Sequence, residues 1–344
     1  MCMENKESII ELISQIRRDI GHKDIKPDIR DVVWDEDSRE LLIITSDRPG
    51  KSTVIGKGGW VVGRLKEELK INSVHVEAYT DLLVRRYRME LARDRLDEIR
   101  SISPTPALTN LAQLLKKRIE KPHALESLLE NFKEERATQS GGDTQPPVSV
   151  VALSGGVDSS FSLIMAKTLG FQPRAVTVDP GSIILPGYFK RSVDHLTAKL
   201  QVPHEYLPLN LEEVVQESLK GRYHPCGRCS KLIEDTVLSY AQKMGVGFVF
   251  YGDLLSTGAD SLHWEGDILR INLPALLSAT KGEVKRLAHK WGVEKKAGYG
   301  CPLLKEVQKK HPSMRRYSIQ RIERETRAGV LEPGEALDMI MRLI

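Results

Sequence analysis

The 344-residue sequence is poor in cysteine and has no long apolar runs, and each shortage narrows what it can be. Four cysteines, at positions 2, 226, 229 and 301, are too few for a disulfide framework, and three of them fall in one half of the chain. No stretch of 18 apolar residues occurs, and the opening MCMENKESII has neither a basic start nor an apolar segment. The expectation is therefore a cytoplasmic chain with no place in a membrane. A strong charge bias is missing too: a formal charge of +4 does not by itself call for nucleic acid. Lysine and arginine do gather in RRYRMELARDR (85–95) and in residues 305–327, runs that serve as readily for solvated helix faces as for phosphate contacts.

What is present divides the chain. Residues 5–20 have the spacing of an amphipathic helix, followed by strand-like runs at 32–34 and 41–45, a glycine-rich stretch leading into a helix, and a strand near 74–76. Residues 79–135 read as charged helix interrupted around 104–106, and ATQSGGDTQPP (137–147) has the composition of a flexible connector. From 148 to about 300, strand-like runs at 148–153, 174–179, 204–207, 247–251 and 268–271 alternate with helices, which predicts an α/β domain with a mainly parallel sheet. The domains expected are 1–78, a helical connector and linker over 79–147, an α/β domain over 148–304, and a basic helical segment over 305–344. No internal repeat is visible.

Two glycine-rich turns carry the chemistry. In VVALSGGVDSSF (150–161) an apolar strand runs into a turn and then into helical spacing. Gly155 and Gly156 let backbone approach a ligand, and the free amides of the helix start would face an anion, for which phosphate is the natural candidate. PGKS at 49–52 imitates the end of a Walker A loop, but the glycine that motif needs five positions earlier is Thr45, so the reading fails. Cys226 and Cys229 stand at Cys-x-x-Cys spacing, and Cys301 follows the last expected strand. Three thiolates from two loops offer an incomplete tetrahedral site with one position open. A redox dithiol with Cys301 buried, and a structural zinc with His224 as fourth ligand, explain the same residues. Cys2 is incidental at a terminus.

SGGVDSS resembles the SGGxDS signature of the PP-loop ATP pyrophosphatases. The resemblance implies an adenine-nucleotide α-hydrolase-like parallel sheet, ATP and Mg²⁺ as ligands, and a pyrophosphate cradle of Ser154, Gly155, Gly156, Asp158 and Ser159. It further implies an adenosine pocket beside Val178 and Asp179, and residues near the α-phosphate at Gly252, Asp253 and Thr257, with Lys231 as a further candidate catalytic residue beside Asp158 and Asp253. Asp253 departs from relatives that carry a His-Asn or His-His pair there, and an acid capping the next helix accounts for it equally well. A PP-loop followed by Cys-x-x-Cys and one distant cysteine is similar to the group of 2-thiocytidine, 2-thiouridine and archaeal 4-thiouridine synthetases. That likeness implies a [4Fe–4S] cluster on Cys226, Cys229 and Cys301, with Zn²⁺ as the alternative. VIGKGGWVVGRL (54–65) resembles the Gly-x-x-Gly loop of KH domains, within an α+β element order like their type II arrangement. The RNA contacts implied are Gly56, Lys57, Gly58 and Gly59. The partners implied are tRNA and a sulfur donor, sulfide or a carrier protein, with a homodimer allowed. Adenylation and thiolation of a tRNA base is the function that follows. Its rivals are a zinc-stabilised ligase or amidotransferase acting on another acceptor, and an RNA-binding ATP sensor.

Overall fold

The computed structural model describes residues 5–23, 25–35, 39–122, 125–138, 145–294 and 300–344. Cys2 and residues 139–144 of the expected linker lie outside them. The chain divides into two compact units, 1–86 and 87–344.

The first unit runs α1 (Lys6–Asp19), β1 (Ile29–Asp35), β2 (Glu40–Thr45), α2 (Arg48–Ile55), α3 (Trp60–Leu69) and β3 (Ser73–Ala78). Its sheet has the order β1-β2-β3, with β2 antiparallel to β1 and parallel to β3. Helical spacing brings Ile9, Ile13, Val54, Val61 and Leu65 onto Leu41 and Ile43, which forms the core of this unit. The predicted order of helix, two strands, short helix, glycine loop, helix and strand is the order observed. PGKS lies inside α2: Asp47 caps that helix by accepting from Gly50 N at 3.0 Å, and buried Lys51 stands 3.6 Å from Glu77. A lysine turned inward onto a carboxylate fits the rejection of a Walker loop.

Helix α4 (Tyr79–Ile102) contains the boundary between the units, and α5 (Pro106–Glu120) and α6 (Leu125–Thr138) follow. Sequence reading made these helices a connector. The structure builds much of them into the second unit, because Met89, Leu96, Leu108, Leu111, Leu115 and Phe132 share one core with Phe161 and Phe250. The rest of the unit runs β4 (Val148–Ala152), α7 (Val157–Thr168), β5 (Gln172–Asp179), α8 (Gly187–Leu200), β6 (His204–Pro208), α9 (Glu212–Leu219), α10 (Pro225–Lys243), β7 (Phe248–Tyr251), β8 (Leu262–Glu265), β9 (Ile268–Asn272), α11 (Leu273–Leu276), α12 (Lys281–Lys290), α13 (Pro302–Lys310), α14 (Arg315–Arg327) and α15 (Pro333–Met341).

The sheet order is β6-β5-β4-β7-β9-β8, parallel throughout except for β8, which pairs antiparallel with β9. Strand alternation explains the uniformly apolar runs. Val151, Phe250 and Leu269 pack into the core that holds α7 and α12, whereas Val150, Val249 and Ile268 pack with Val237 and Ala241 of α10. With both faces covered, neither phase of the alternation can be polar. Strand order reverses at β4, between β5 and β7, and in open α/β sheets ligands bind at the carboxyl ends of the strands at such a point.

Candidate functional site

The turn after β4 lies at that reversal and is closed on itself by serines. Ser159 Oγ accepts from Ser154 N at 3.1 Å, lies 3.0 Å from Ser154 Oγ, and donates to Gly156 O at 3.1 Å. Gly156 caps α7 without a side-chain bond to the first-turn amides. That leaves the first-turn amides without a side-chain cap, the kind of donor an anion can take. The glycines are required by close approach as well as conformation. A Cβ on Gly155, at φ +76°, would stand 2.5 Å from Phe189 O, and a Cβ on Gly252 would stand 2.6 Å from Ser159 N and 2.7 Å from the Asp158 carbonyl carbon. Gly252 therefore packs on the backbone of the cradle, and Ser162 Oγ donates to Tyr251 O at 2.8 Å to tie the two segments together.

Asp158, in the first turn of α7, meets a cation that the sequence did not single out. Lys281 Nζ lies 2.7 and 2.5 Å from its two carboxylate oxygens. The one available signal was the Thr-x-x-Glu pattern at 280–283, which starts α12 and sets Lys281 at its first position.

At the end of β5, Val178 is buried in the core beneath α10. Asp179 accepts from Gly181 N at 3.1 Å and pairs with Lys190, whose hydrogen bond holds the carboxyl below the usual carboxylate range. Asp253 turns its carboxylate onto its own loop, accepting from Leu255 N at 3.0 Å and Ser256 Oγ at 2.7 Å. These bonds close a local turn rather than cap the next helical element, whose N-cap is Thr257, so the expected helix-capping role is not what the structure shows. Thr257 precedes a short 3-10 turn that starts at Gly258, and its amide donates to Leu255 O at 2.9 Å. Lys231 is not drawn toward the cradle: it lies on α10 with 68% of its side chain exposed, paired with Asp235 at 2.9 Å.

Cys226 lies in the first turn of α10 and Cys229 at the start of the second, after the N-cap His224, and Cys301 caps α13. Leu303 N donates to Ile183 O at 2.9 Å, which joins the Cys301 segment to the loop that follows Asp179. Burial pushes the Cys226 thiol up to about 11 and Cys229 up to about 12, and the charge of Cys301 adds to both. The three cysteines, from two segments, form no disulfide. Burial also lowers His224, whose ring packs on Tyr317 with centroids 5.3 Å apart. Among the described residues no three His, Cys, Asp or Glu side chains are close enough to share one metal ion. Three soft thiol donors are the chemistry an iron–sulfur centre takes, but as they stand these side chains do not form a metal site.

In the first unit, Gly56, Gly58 and Gly59 have φ of +74°, +64° and +77°. A Cβ on Gly56 would fall 2.3 Å from Val61 Cγ2, whereas Lys57 and Gly58 are exposed and Trp60 is 67% exposed. Much of the charge in residues 85–95 is internally engaged, as in Arg85–Glu77 at 2.7 Å and Arg88 donating to Ala328 O at 2.6 Å. In residues 305–327, Arg321 pairs with Glu325 at 3.1 Å and Arg315 donates to Ile344 O at 2.9 Å.

No protein-family model matches the sequence. The uncharacterized protein MJ1638 of Methanocaldococcus jannaschii is 36% identical over 259 residues, 74% of this chain and 96% of that one. A tRNA-cytidine(32) 2-sulfurtransferase of Legionella pneumophila is 30% identical over 145 residues, 39% of this chain, and the match spans 50% of the sulfurtransferase. Among solved structures, the U34-tRNA thiolase NcsA from Methanococcus maripaludis, described with its [4Fe-4S] cluster, matches 60% of this chain and 80% of its own at 18% identity and a TM-score of 0.35. That last likeness is too distant to bear on function. With 36% identity over nearly the whole of the MJ1638 protein, this chain belongs to one family with MJ1638.

Proposed function

We propose that the chain is an ATP-dependent tRNA sulfurtransferase. One arrangement carries the reading: Cys226 and Cys229 lie near the start of one helix and Cys301 caps another, whose first turn is tied through Leu303 and Ile183 to the loop that follows Asp179. The sulfurtransferase activity named for the Legionella pneumophila relative supports it.

The chemistry follows from the cradle. Ser154, Gly155, Gly156 and Ser159 hold the pyrophosphate of ATP by amides and hydroxyls, and Asp158 is the loop's carboxylate for Mg²⁺, which neutralises phosphate charge. The carbonyl oxygen of a nucleobase attacks the α-phosphorus, the bond to the bridging oxygen breaks, and pyrophosphate leaves. A poor leaving oxygen has become AMP. Sulfide then adds to the same carbon, the carbon–oxygen bond breaks, and AMP departs with the former carbonyl oxygen. An iron–sulfur cluster held by Cys226, Cys229 and Cys301 would supply that sulfur in a reactive form. The base must leave its stack to reach the cradle. The exposed Lys57, the glycine amides around it and the exposed Trp60 would grip the RNA strand and offset that cost.

The test is anaerobic incubation with tRNA, ATP and sulfide, followed by pyrophosphate assay and nucleoside mass spectrometry. Pyrophosphate and a thio-nucleoside together are expected, with about four irons and labile sulfide per chain. One zinc per chain with pyrophosphate but no thio-nucleoside would favour a ligase. Tight RNA binding with neither product would leave an ATP-sensing RNA-binding protein.

A further inference from the structure

Residues 305–327 gather lysine and arginine that neither the cradle nor the cysteines use. Some of these cations are already satisfied: Arg315 donates to Ile344 O and Arg321 pairs with Glu325. Lys305, Lys309 and Arg324 are not, and neither is Arg228 on α10. All four are exposed, and none forms an ion pair among the described residues. Cations left without carboxylates suit an anion from outside the chain.

Aromatic rings lie among them. Tyr317 on α14 is 39% exposed, and it touches one half-buried group and one exposed one. His224, the N-cap of α10, packs on its ring with centroids 5.3 Å apart. The exposed Arg316 guanidinium lies 4.8 Å from the ring centroid and donates to the hydroxyl at 2.7 Å. Next to His224 in the chain, Tyr223 has the Arg228 guanidinium 4.0 Å from its ring centroid. Two pairs of ring and guanidinium therefore stand at the segment that leads into Cys226.

The fold holds this segment from behind. A Cβ on Gly221 would stand 2.6 Å from His311 Cε1, and His311 Nε2 lies 3.0 Å from Leu219 O, so the end of α13 is seated on the turn before Tyr223. Buried Gln308 donates to Ser318 Oγ at 2.6 Å, which ties α14 to α13, the helix that Cys301 caps. Tyr223 Oη and His224 Nε2 are nonetheless buried without a partner. The segment is fixed in place with hydrogen bonds still unmade.

We propose that this patch is an RNA contact separate from the glycine turn at 56–59: an unpaired base stacks on Tyr317 and Arg316, and the phosphates beside it meet Arg228 and Arg324. Rings and guanidinium planes accept the face of any base. Helical spacing sets Arg324 about two turns from Tyr317 on the same side of α14, and the exposed acid Glu323 lies about a third of a turn off that side. The patch orients the strand against the segment that carries Cys226, and so it rests on the reading of the chain as a tRNA-modifying enzyme.

The test is fluorescence anisotropy of the full chain with a labelled, unmodified tRNA transcript, using wild type, Tyr317→Ala, Tyr317→Trp and Arg324→Gln, with a calorimetric ATP titration and a thermal melt of each. Loss of one stacked base weakens tRNA binding by about five- to a hundredfold in Tyr317→Ala and leaves ATP affinity and melting temperature near wild type. Tryptophan restores most of the tRNA affinity, because stacking needs a ring and not a hydroxyl. Arg324→Gln lowers the salt slope of binding by about one. Wild-type protein gives a second readout: ultraviolet crosslinking to a transcript carrying 5-iodouridine, mapped by mass spectrometry, reaches Tyr317. Unchanged affinity in Tyr317→Ala, a tryptophan variant as weak as the alanine one, or crosslinks confined to residues 54–65 would overturn the proposal while leaving the sulfurtransferase reading standing. A parallel fall in ATP affinity and melting temperature would reduce Tyr317 to a packing residue. Wild type that does not bind the transcript would remove the underlying reading as well.

Discussion

The chain has two glycine-rich turns that each lead into a helix, and the structure treats them in opposite ways. Gly155 and Gly59 have nearly the same backbone angle, φ +76° and +77°. Around Gly155 the turn is crowded: Phe189 O and the Gly252 segment press on it, and serine hydroxyls cross-link it. Around Gly59 there is open space, and Lys57, Gly58 and Trp60 face solvent. A crowded, pre-tied turn suits one compact ligand of fixed shape, because little ordering remains to be done on binding. An open turn suits a polymer strand that passes over it. The same residue type in the same conformation is therefore a poor guide to ligand, and the packing behind it is a better one.

The largest expected effect tests what backs the first turn. Arg118→Met removes one partner of a buried ion pair with Glu283 of α12, which should cost about 3–5 kcal/mol in urea unfolding of the second unit. A cost near zero would mean the pair does not anchor α12. Next comes Gly252→Ala, whose Cβ would collide with backbone of Ser159 and Asp158 rather than with a side chain able to move aside. Displacing a reacting geometry by an ångström costs about a hundredfold, so pyrophosphate release should fall by at least that much in a protein that still folds. An unchanged rate would show a pliable cradle. In the open turn, Gly58→Asp sets a negative charge where RNA phosphate is proposed to pass. A loss of about tenfold in tRNA affinity is expected, with ATP binding intact.

Sequence made much of this legible, and the exceptions share a cause. The parallel strands were readable because both faces of the sheet are covered, which forces continuous apolar runs such as 148–153. Strand β8 was missed: at four residues, LHWE, it is short, and as an edge strand it need not be apolar on both faces. The strand–turn–helix around 154–159 was readable because its glycines and serines are contiguous between an apolar strand and helical spacing. Lys281 was not, since it reaches Asp158 across 123 residues and only the fold brings α12 onto α7. Helices α4 to α6 read as a connector because their charged faces dominate the composition. Their buried stripe of Met89, Leu96, Leu108 and Leu111 acquires meaning only against Phe161 and Phe250. Lys231 misled for the opposite reason: it is close in sequence to the cysteines, but two turns of helix carry it to solvent and to Asp235.

The smallest effect isolates the comparison most cleanly. Gly59→Ala and Gly155→Ala each impose left-handed strain, about 1–2 kcal/mol, at nearly equal φ. At Gly59 nothing else is added, since the nearest atom to a new Cβ is Val62 Cγ1 at 4.0 Å. The melting transition of the first unit should fall by about 4–8 °C for each kcal/mol, with the second transition unmoved. At Gly155 the Phe189 carbonyl at 2.5 Å must also give way, adding about 1–3 kcal/mol. The difference between the two variants therefore measures packing with conformation held constant. If Gly59→Ala proved as damaging as Gly155→Ala, backbone angle alone would govern both turns, and the contrast between a pre-tied cradle and an open strand-binding loop would collapse.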